Sequence, residues 1–548
     1  MAAARRPLRR GAPAAPGAAA VAVLRKRRSL RGRLTGVLRY VTIAGAACAL
    51  AAPFLSSGAT RAKGAELGWF TAAVVVVVAL GFARRRAVRI AAAVLGAIVA
   101  VAAIVQLLLD VQGGVPGADA PVLAIGAVAA AIGLTASTSW RVRPAGVLGV
   151  VVVAVAALLA PWGAESAATE SETRFIRDLP SDPVTERPGG RQWAWQPPSD
   201  VTDVVAASYG VVVATADGRV TALEGSDGRE NWHYARLGAR VDALLPSADG
   251  RSVLAAFASK DDSSSKLLVM LDAESGAARF ERVVPSVLVE TRQVAVGTKT
   301  FTIRGDELVG YDVDDGEELW RWSPPEGCDS PFSLAAPART VVLASLECAG
   351  KAGLVALDEV SGHERWRHEV RLSGQDSERL DVMAATTTGG ATVWLRIVGR
   401  LVAPGSVTSG LFDTETGRLL PTPREPWLVR ADAGALPLAE QQDGAKDTAL
   451  EVVDTATGTT HPVDFSACPV RSAEATTAHT YLRACNDNGR DLTVVVQSWD
   501  GQPPAQIPVR LDGSGSLPDL YLVPAPGAIV VAREAHGGTP APVVGLVG

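Results

Sequence analysis

The sequence lacks the short motifs that mark most catalytic sites. It has no pair of adjacent cysteines and no Cys-x-x-Cys, and among its six histidines only His363 and His368 lie close together. No Walker, Gly-x-Ser-x-Gly or Gly-x-Gly-x-x-Gly element lies where a strand would lead into a helix. Metal sites need convergent His, Cys or carboxylate side chains. These absences predict a protein with no catalytic residue, no resident cofactor and no metal.

Acidic residues are almost missing from the first 162 residues. That part holds 19 Lys and Arg against three acids, a net charge of +16; since the whole chain carries −4, residues 163–548 carry −20. A basic, apolar half suits a membrane with a basic cytoplasmic face, whereas a strongly acidic half is poorly suited to nucleic acid. We therefore expect no nucleic-acid partner, and we expect the chain to divide near residue 162.

Five apolar runs fill the basic half, and each approaches the ~20 residues that a membrane-spanning helix needs. They are Gly36–Leu55, Leu67–Ala83, Ile90–Leu109, Pro121–Ser137 and Ala145–Trp162. Arginines cluster before the first run, between the second and third, and between the fourth and fifth. The positive-inside rule then predicts a cytoplasmic N-terminus and an extracytoplasmic second half. If the first run is a cleaved signal peptide, four spans remain and the second half stays outside.

The patterns predict four parts of the chain. Residues 1–34 form a basic cytoplasmic N-terminus, 35–162 an all-α transmembrane domain of five helices, 163–190 a linker and 191–548 a soluble domain. The linker is polar and acidic and carries three prolines, which is typical of an exposed tether. We expect the lipid bilayer as one partner and the plasma membrane as the location.

One hairpin pattern occurs seven times in the acidic half. Each copy ends a strand, turns through acidic or polar residues and closes on glycine, and an aromatic residue follows in the first four copies. The marker residues are Asp227, Gly228 and Trp232; Asp272 and Gly276; Asp312, Gly316 and Trp320; Asp358, Gly362 and Trp366; Asp413 and Gly417; Asp454 and Gly458; Asp500 and Gly501. The glycines are separated by 48, 40, 46, 55, 41 and 43 residues, a spacing typical of propeller blades.

The physical chemistry of the copies agrees with a propeller. Aspartate can accept hydrogen bonds from the N–H groups of its own turn, and glycine supplies the positive φ of the hairpin. After Gly501 only 47 residues remain, enough for a unit whose third strand is Ala541–Val547. The segment Arg191–Gln196 would supply its outer strand and close the ring, which predicts eight blades. Seven is the alternative if Arg400–Gly417 or the last unit is irregular.

Four of the five cysteines lie in the acidic half in two similar pairs. Cys328 and Cys348 are 20 residues apart, and Cys468 and Cys485 are 17 apart. Each pair brackets one strand and its turn, which predicts two disulfides between the start of a blade's first strand and the end of its second. Disulfides persist outside the cytoplasm, in agreement with the predicted location. Cys48 lies in the first apolar run and is expected to be a small buried residue.

The repeats resemble those of pyrroloquinoline-quinone-type propellers. The residues from Val213 to Trp232 are similar to that family's repeat almost position by position, and Leu354–Trp366 is similar too. The resemblance covers about Arg191 to the end and implies an all-β propeller. Related proteins include quinoprotein alcohol dehydrogenases and the outer-membrane-protein assembly lipoprotein, a non-catalytic scaffold. The dehydrogenases use two adjacent cysteines against their quinone, and this chain lacks them. The N-terminal half resembles the anchors of actinobacterial propeller proteins.

The sequence therefore predicts a membrane-anchored, extracytoplasmic propeller that binds a protein or a cell-envelope polymer without catalysing a reaction. The alternative is an enzyme or a small-ligand sensor with its site in the central channel of the propeller. In that case the negative charge of the acidic half would favour cations or cationic substrates.

Overall fold

The computed structural model describes residues 39–55, 67–113, 117–134, 144–174, 182–259, 264–290, 293–329, 336–348, 350–372, 381–398, 407–422, 427–432, 434–441, 449–464, 471–486, 491–500, 502–511, 520–534 and 539–548. The chain forms two compact units. The first is helical, and the second, which includes Glu165–Gly548, consists mainly of β-sheet.

The first unit contains five apolar helices where the sequence predicts them. They are α1 (Arg39–Leu55), α2 (Leu67–Gly81), α3 (Arg86–Gln112), α4 (Asp119–Leu134) and α5 (Pro144–Ala168). Within the described residues, two segments are long and apolar enough to cross a membrane, namely Arg86–Gln112 and Leu148–Ala168. The other three helices have 10–17 residues, and residues 36–38 and 135–137 of the predicted runs lie outside the described ranges. Within the described ranges, two helices therefore have spanning length where five were expected.

Small residues allow the helices of the first unit to approach closely. α1 and α4 meet at Gly45 and Gly126, where a Cβ added to Gly45 would lie 2.5 Å from the Gly126 carbonyl oxygen. The buried side chains are mostly alanine and valine. The outer surfaces are apolar as well: Ile98 of α3 is 58% exposed and Leu158 of α5 is 75% exposed. These helices therefore lack the polar outer face of an ordinary soluble bundle.

The second unit contains eight antiparallel sheets, which confirms the prediction of eight blades. Two short strands precede the first full blade: β1 (Thr169–Glu172) and β2 (Arg191–Trp195). Blade 1 consists of β3 (Val201–Ala207), β4 (Gly210–Thr215), β5 (Arg219–Glu224) and β6 (Glu230–Arg236); blade 2 of β7 (Ala239–Pro246), β8 (Ser252–Ser259), β9 (Ser265–Asp272) and β10 (Ala278–Pro285). A short helix, α6 (Ser286–Glu290), leads to blade 3, which consists of β11 (Val294–Val296), β12 (Thr300–Arg304), β13 (Leu308–Asp312) and β14 (Glu318–Trp322).

The remaining blades follow in chain order. Blade 4 consists of β15 (Cys328–Asp329), β16 (Ala336–Pro337), β17 (Val341–Cys348), β18 (Lys351–Asp358) and β19 (Glu364–Arg371); blade 5 of β20 (Asp381–Thr386), β21 (Thr392–Val398), β22 (Ser409–Asp413) and β23 (Leu419–Leu420). Blade 6 consists of β24 (Trp427–Arg430), β25 (Leu438–Gln441), β26 (Leu450–Val453) and β27 (Thr460–Pro462); blade 7 of β28 (Arg471–Thr476), β29 (Thr480–Asn486), β30 (Asp491–Ser498) and β31 (Ala505–Arg510). Blade 8 contains β32 (Leu520–Ala525), β33 (Ala528–Arg533) and β34 (Val543–Val547).

Blade 8 is completed by a strand from the start of the propeller, as the sequence predicts. β2 pairs with β34 in antiparallel register, with Arg191 opposite Val547 and Trp195 opposite Val543. The ring is thus closed by backbone hydrogen bonds between the two ends of the domain, and this pairing supplies the blade's fourth strand.

The core of the propeller lies between neighbouring blades. Every residue of β4 and β8 is buried, because each central strand is covered on both faces by adjacent sheets. One continuous cluster joins Val212 and Trp232 of blade 1 to Phe257 and Val269 of blade 2. The first strands of neighbouring blades contact one another, as β3 does with both β7 and β32. These strands therefore form the inner wall of the ring.

The predicted linker is not wholly an exposed tether. Its first residues belong to α5, and β1 pairs with the outer strand β6 of blade 1. Further along, the Thr185 N–H donates to the Ala525 carbonyl and the Gly189 N–H to the Val547 carbonyl. The acidic composition of the segment does not reveal that backbone groups within it have partners on blades 1 and 8.

Candidate scaffold sites between and beside the blades

The hairpin motif fixes each of several blades to the next one through an indole ring. In four cases the Nε1–H of a tryptophan donates to a backbone carbonyl in the hairpin of the following blade. The accepting residue is the one that directly follows the last residue of the strand before that hairpin. The pairs are Trp193 to Gly225 (2.7 Å), Trp232 to Ala273 (2.9 Å), Trp320 to Glu359 (2.7 Å) and Trp366 to Thr414 (2.8 Å). The motif tryptophans predicted from the sequence are therefore structural contacts between blades.

The glycine of the motif lies against the same ring. Gly276 has φ +73°, and a Cβ added there would lie 2.5 Å from Cδ2 of Trp232. The residue must therefore be glycine for two reasons, the left-handed backbone and the close approach of the indole. The same geometry places Phe280 against Gly316 and Trp366 against Gly417.

The aspartates of the motif stabilise the hairpins. Asp358 accepts hydrogen bonds from the N–H groups of Val360 (3.1 Å) and Ser361 (2.9 Å), and its other oxygen accepts from Arg365 (2.6 Å). Burial alone would raise the pKa of Asp358, but these hydrogen bonds and the Arg365 charge outweigh it and lower the pKa to about 2. The same kind of turn hydrogen bond is made by Asp227, Asp272, Asp312, Asp413, Asp454 and Asp500. Gly501 lies outside the described residues.

The motif changes from blade 5 onward. Pro421 takes the place of the aromatic ring and packs against Gly458 of blade 6. Between blades 6 and 7, Trp499 stacks on His461 with ring centroids 4.7 Å apart and an interplanar angle of 9°. Sequence reasoning noted weaker copies here but did not predict this stacking.

Glu359 is a buried carboxylate that joins blades 3 and 4. It is 4% exposed, and its Oε2 accepts hydrogen bonds from the N–H groups of Thr298 (3.0 Å) and Lys299 (3.1 Å). Burial raises the pKa of Glu359, and the two N–H donors act in the opposite direction. The sequence did not single out this residue because the corresponding positions of other copies are occupied by uncharged residues such as Ala273 and Thr414.

A buried arginine joins blades 1 and 2. Arg236 is fully buried and forms ion pairs with Glu281 of blade 2 and with Glu165. Its Nε–H also donates to the Tyr234 hydroxyl (2.8 Å), which in turn donates to Glu281 (3.0 Å). Burial raises the pKa of Tyr234, so the phenol stays protonated and can donate.

A second cluster of arginine, tyrosine and glutamate side chains joins blades 6 and 7. Glu474 of β28 forms an ion pair with Arg430 of β24 and accepts a hydrogen bond from the Tyr481 hydroxyl (2.8 Å). The Nε–H of Arg483 donates to that hydroxyl at 3.0 Å. Both clusters contain Tyr-x-Arg within one strand, a signal that was present in the sequence and was missed.

An aspartate on the inner wall joins blades 1 and 2. Asp203 of β3 accepts hydrogen bonds from its neighbour Val204 (2.8 Å) and from the N–H of Leu244 on β7 (2.7 Å). Burial raises the pKa of Asp203, the two N–H donors lower it, and the nearby Glu534 raises it. The net result is a raised pKa for Asp203, with burial as the largest cause.

The acidic strand β1 binds along a basic edge of blade 1. Glu170 lies 3.4 Å from Arg219 and 3.7 Å from Nε2 of His233, and Glu172 lies 3.9 Å from Nδ1 of His233. The His233 ring also contacts Glu230 of its own strand at 2.7 Å. The pairing shows that the outer edge of a blade in this protein can accept an extended acidic segment.

The cysteines lie in blades 4 and 7. Cys328 and Cys348 form a disulfide, and they are opposite each other in the β15–β17 pair, at the start of the blade's first strand and the end of its second. Cys485 is disulfide-bonded, while its predicted partner Cys468 lies outside the described residues. Cys48 is free and half-buried in α1.

The two neighbouring histidines do not form a metal site. His363 is exposed in a hairpin, whereas the His368 ring packs against Phe412 with centroids 4.7 Å apart. Its Nε2 is 3.2 Å from the Val407 carbonyl oxygen. Within the described part of the chain, no group of three or more His, Cys, Asp or Glu residues is placed to hold a metal ion.

Known proteins resemble this chain in sequence family and in fold. The family described as "Outer membrane protein assembly factor BamB" matches residues 124–292 and 216–459, together more than half of the chain. Two similar solved structures are BamB from Moraxella catarrhalis (16% identity, 66% of this chain, 99% of that chain, TM-score 0.37) and the dihydro-heme d1 dehydrogenase NirN in complex with DHE (16% identity, 68% of this chain, 86% of that chain, TM-score 0.37). No curated protein matches.

The family match rests on the sequence itself and agrees with the eight closed blades and their repeated hairpins. The chain therefore belongs to the family of pyrroloquinoline-quinone-like propeller repeats described as outer membrane protein assembly factor BamB.

Proposed function

We propose that this protein is a membrane-anchored, extracytoplasmic propeller that acts as a non-enzymatic scaffold for a protein or a cell-envelope polymer. The observation that carries the proposal is that charged side chains inside the ring connect blades: the buried Glu359 and Arg236 and the partly buried Glu474 each join two neighbouring blades. The side chains that could otherwise perform chemistry thus hold the ring together. A preorganised surface loses little entropy when it binds a partner. The family's description concerns outer membrane protein assembly, which supports a protein as the partner.

The helical unit supports the proposed membrane anchor. The outward surfaces of α3 and α5 are apolar, and two segments have spanning length. The distribution of arginines favours a cytoplasmic N-terminus and an extracytoplasmic propeller. Protease added to intact spheroplasts should degrade the propeller and spare an N-terminal tag. Degradation of the propeller only after lysis would refute this orientation.

Photocrosslinking tests the scaffold function directly. A photoreactive amino acid is placed at exposed positions of the propeller, Val360 (57% exposed) and Leu419 (48% exposed), in cells that express the full chain. We expect one envelope component to be recovered repeatedly from the exposed positions and never from the buried control position Val253. If no envelope component is captured from any surface position under any growth condition, a scaffold function is refuted.

One observation favours the alternative of an enzyme or small-ligand sensor. Asp203 lies on the inner wall with a raised pKa, and such groups are often found at functional sites. The alternative predicts that a small ligand such as pyrroloquinoline quinone with Ca²⁺ raises the melting temperature of the purified protein. It also predicts that Asp203→Asn abolishes this shift. A shift with dye-linked alcohol oxidation would overturn the non-enzymatic proposal.

A further inference from the structure

Five of the eight blades have an outer edge that is covered, very short or interrupted by proline. An outer strand presents unpaired N–H and C=O groups, and proteins commonly block such edges with proline, shortness or a covering segment. Blade 1 is covered by β1, blade 5 ends in a two-residue strand, and the outer strands of blades 2, 6 and 7 contain Pro285, Pro462 and Pro508.

Blade 4 has the longest outer strand that contains no proline and is not covered by another segment within the described ranges. Its outer strand β19 has eight residues and no proline, while the outer strands of blades 3 and 8 have five residues each. Within the described ranges, no strand pairs with the outer side of β19. The strand is also firmly held, because Trp366 is fixed to blade 5 and the Cys328–Cys348 disulfide joins the inner strands of the same blade.

One face of β19 carries charges of alternating sign, two of them partly buried and the third exposed. Arg367, Glu369 and Arg371 are two residues apart and therefore share one face of the strand. Arg367 contacts Glu369 at 3.0 Å, and Glu369 also pairs with Lys351 at 2.9 Å. Arg371 is exposed and has no ion-pair partner in the described part of the chain. A complementary strand would place acids opposite Arg367 and Arg371 and a base opposite Glu369.

The pairing of β1 with β6 provides a template for such a complex within the same molecule. In that pair Glu172 lies opposite His233, the residue that follows Trp232. Arg367 holds the equivalent place in blade 4, directly after Trp366. In both strands the basic residue also contacts a glutamate three positions earlier, Glu230 for His233 and Glu364 for Arg367.

We propose that the outer edge of blade 4 is a docking site for an extended strand of a partner protein. The strand adds antiparallel to β19 and carries acidic residues opposite Arg367 and Arg371 and a basic residue opposite Glu369. Main-chain hydrogen bonds supply the binding energy, and the charge pattern supplies register and selectivity. This inference rests on the proposed scaffold function and names the chemistry of one partner-binding surface.

A designed peptide tests the proposal on the purified full-length protein. The probe copies residues 165–174 with Ala168→Glu and Glu170→Lys. If it binds β19 as β1 binds β6, peptide position 172 faces Arg367, position 170 faces Glu369 and position 168 faces Arg371. We expect saturable binding by fluorescence anisotropy and slower hydrogen exchange confined to β19.

Charge reversal separates docking from nonspecific attraction. Arg371→Glu should weaken the probe about threefold to tenfold, and a second peptide with lysine at position 168 should regain the loss on that variant. Arg510→Glu is the matched control, because Arg510 is the exposed last residue of the proline-containing strand β31. It should leave binding unchanged.

Several outcomes overturn the proposal. They are the absence of slower exchange in β19 at saturating probe, an equal effect of Arg371→Glu and Arg510→Glu, and protection that appears on another blade. With any of these outcomes, the charges of β19 would be explained as protection against pairing at the edge. The scaffold function is tested separately, because envelope crosslinking through another surface would uphold it while the docking edge fails.

Discussion

Replacement of Gly276 by alanine should destabilise the contact between blades 1 and 2. The new Cβ would lie 2.5 Å from Trp232, and the backbone at φ +73° disfavours any side chain. The left-handed conformation costs alanine about 1–2 kcal/mol, and overpacking of a filled site costs about 1–3 kcal/mol more. We therefore expect a loss of about 2–5 kcal/mol in the free energy of local opening.

Two control variants separate the contributions. Gly350 has φ +78° and nothing within 4 Å of an added Cβ, so Gly350→Ala should cost only the backbone term of about 1–2 kcal/mol. Gly305 has neither a positive φ nor a neighbour within 4 Å, so Gly305→Ala should be close to neutral.

Native-state hydrogen exchange of β4 and β8 measures the effect, because a chain with two compact units need not unfold in one step. A double-mutant cycle with Trp232→Ala completes the test. In the absence of the indole, Gly276→Ala should cost no more than Gly350→Ala does. An undiminished cost in the Trp232→Ala background, or equal costs for Gly276→Ala and Gly350→Ala in the wild type, would refute the steric account.

Three further predictions concern the disulfide, the hairpin acids and the buried clusters. Cys328→Ser should lower the stability of blade 4 by about 3 kcal/mol, as measured by hydrogen exchange, and Cys48→Ser should not. Asp358→Asn should cost about 1 kcal/mol at neutral pH. Because the folded pKa of about 2 lies below the unfolded value of 3.8, wild type and Asp358→Asn should converge in stability as a pH titration falls from about 4 to 2, and a constant gap would contradict this. Arg236→Met should cost about 3 kcal/mol in the free energy of local opening of blades 1 and 2, measured by hydrogen exchange, and adding Glu281→Gln should recover part of it; an additive loss would argue against a coupled cluster.

The architecture could be predicted from the sequence because it depends on local, repeated chemistry. A hairpin glycine and a turn aspartate act within a few residues, so Asp358 and Gly276 are recognisable without knowledge of their neighbours in space. Ring closure was predictable for a different reason: the end of the chain lacked one strand and Arg191–Gln196 supplied it.

The inter-blade charges could not be predicted in the same way. Glu359 and Asp203 accept hydrogen bonds from N–H groups of an adjacent blade, and the sequence separation of those partners follows no fixed interval. The Tyr-x-Arg pairs are visible in the sequence, but the glutamate that accepts from the tyrosine lies 7 residues away in one cluster and 47 in the other. Long-range polar contacts of this kind emerge only when the blades are placed side by side.

The protection of the edges connects the fold to its use as a scaffold. The pairing of β2 with β34 closes the ring with backbone hydrogen bonds. Unpaired backbone groups that a partner could bind therefore lie on the outer strands of the blades. The chain's own β1 shows that such an edge is bound when an acidic segment meets basic side chains. The outer strands of blades 5 to 7 are very short or contain proline, whereas β19 has neither feature. An eight-residue edge that keeps its donors and acceptors, on a blade fixed by both an indole contact and a disulfide, is better explained by a strand that binds there.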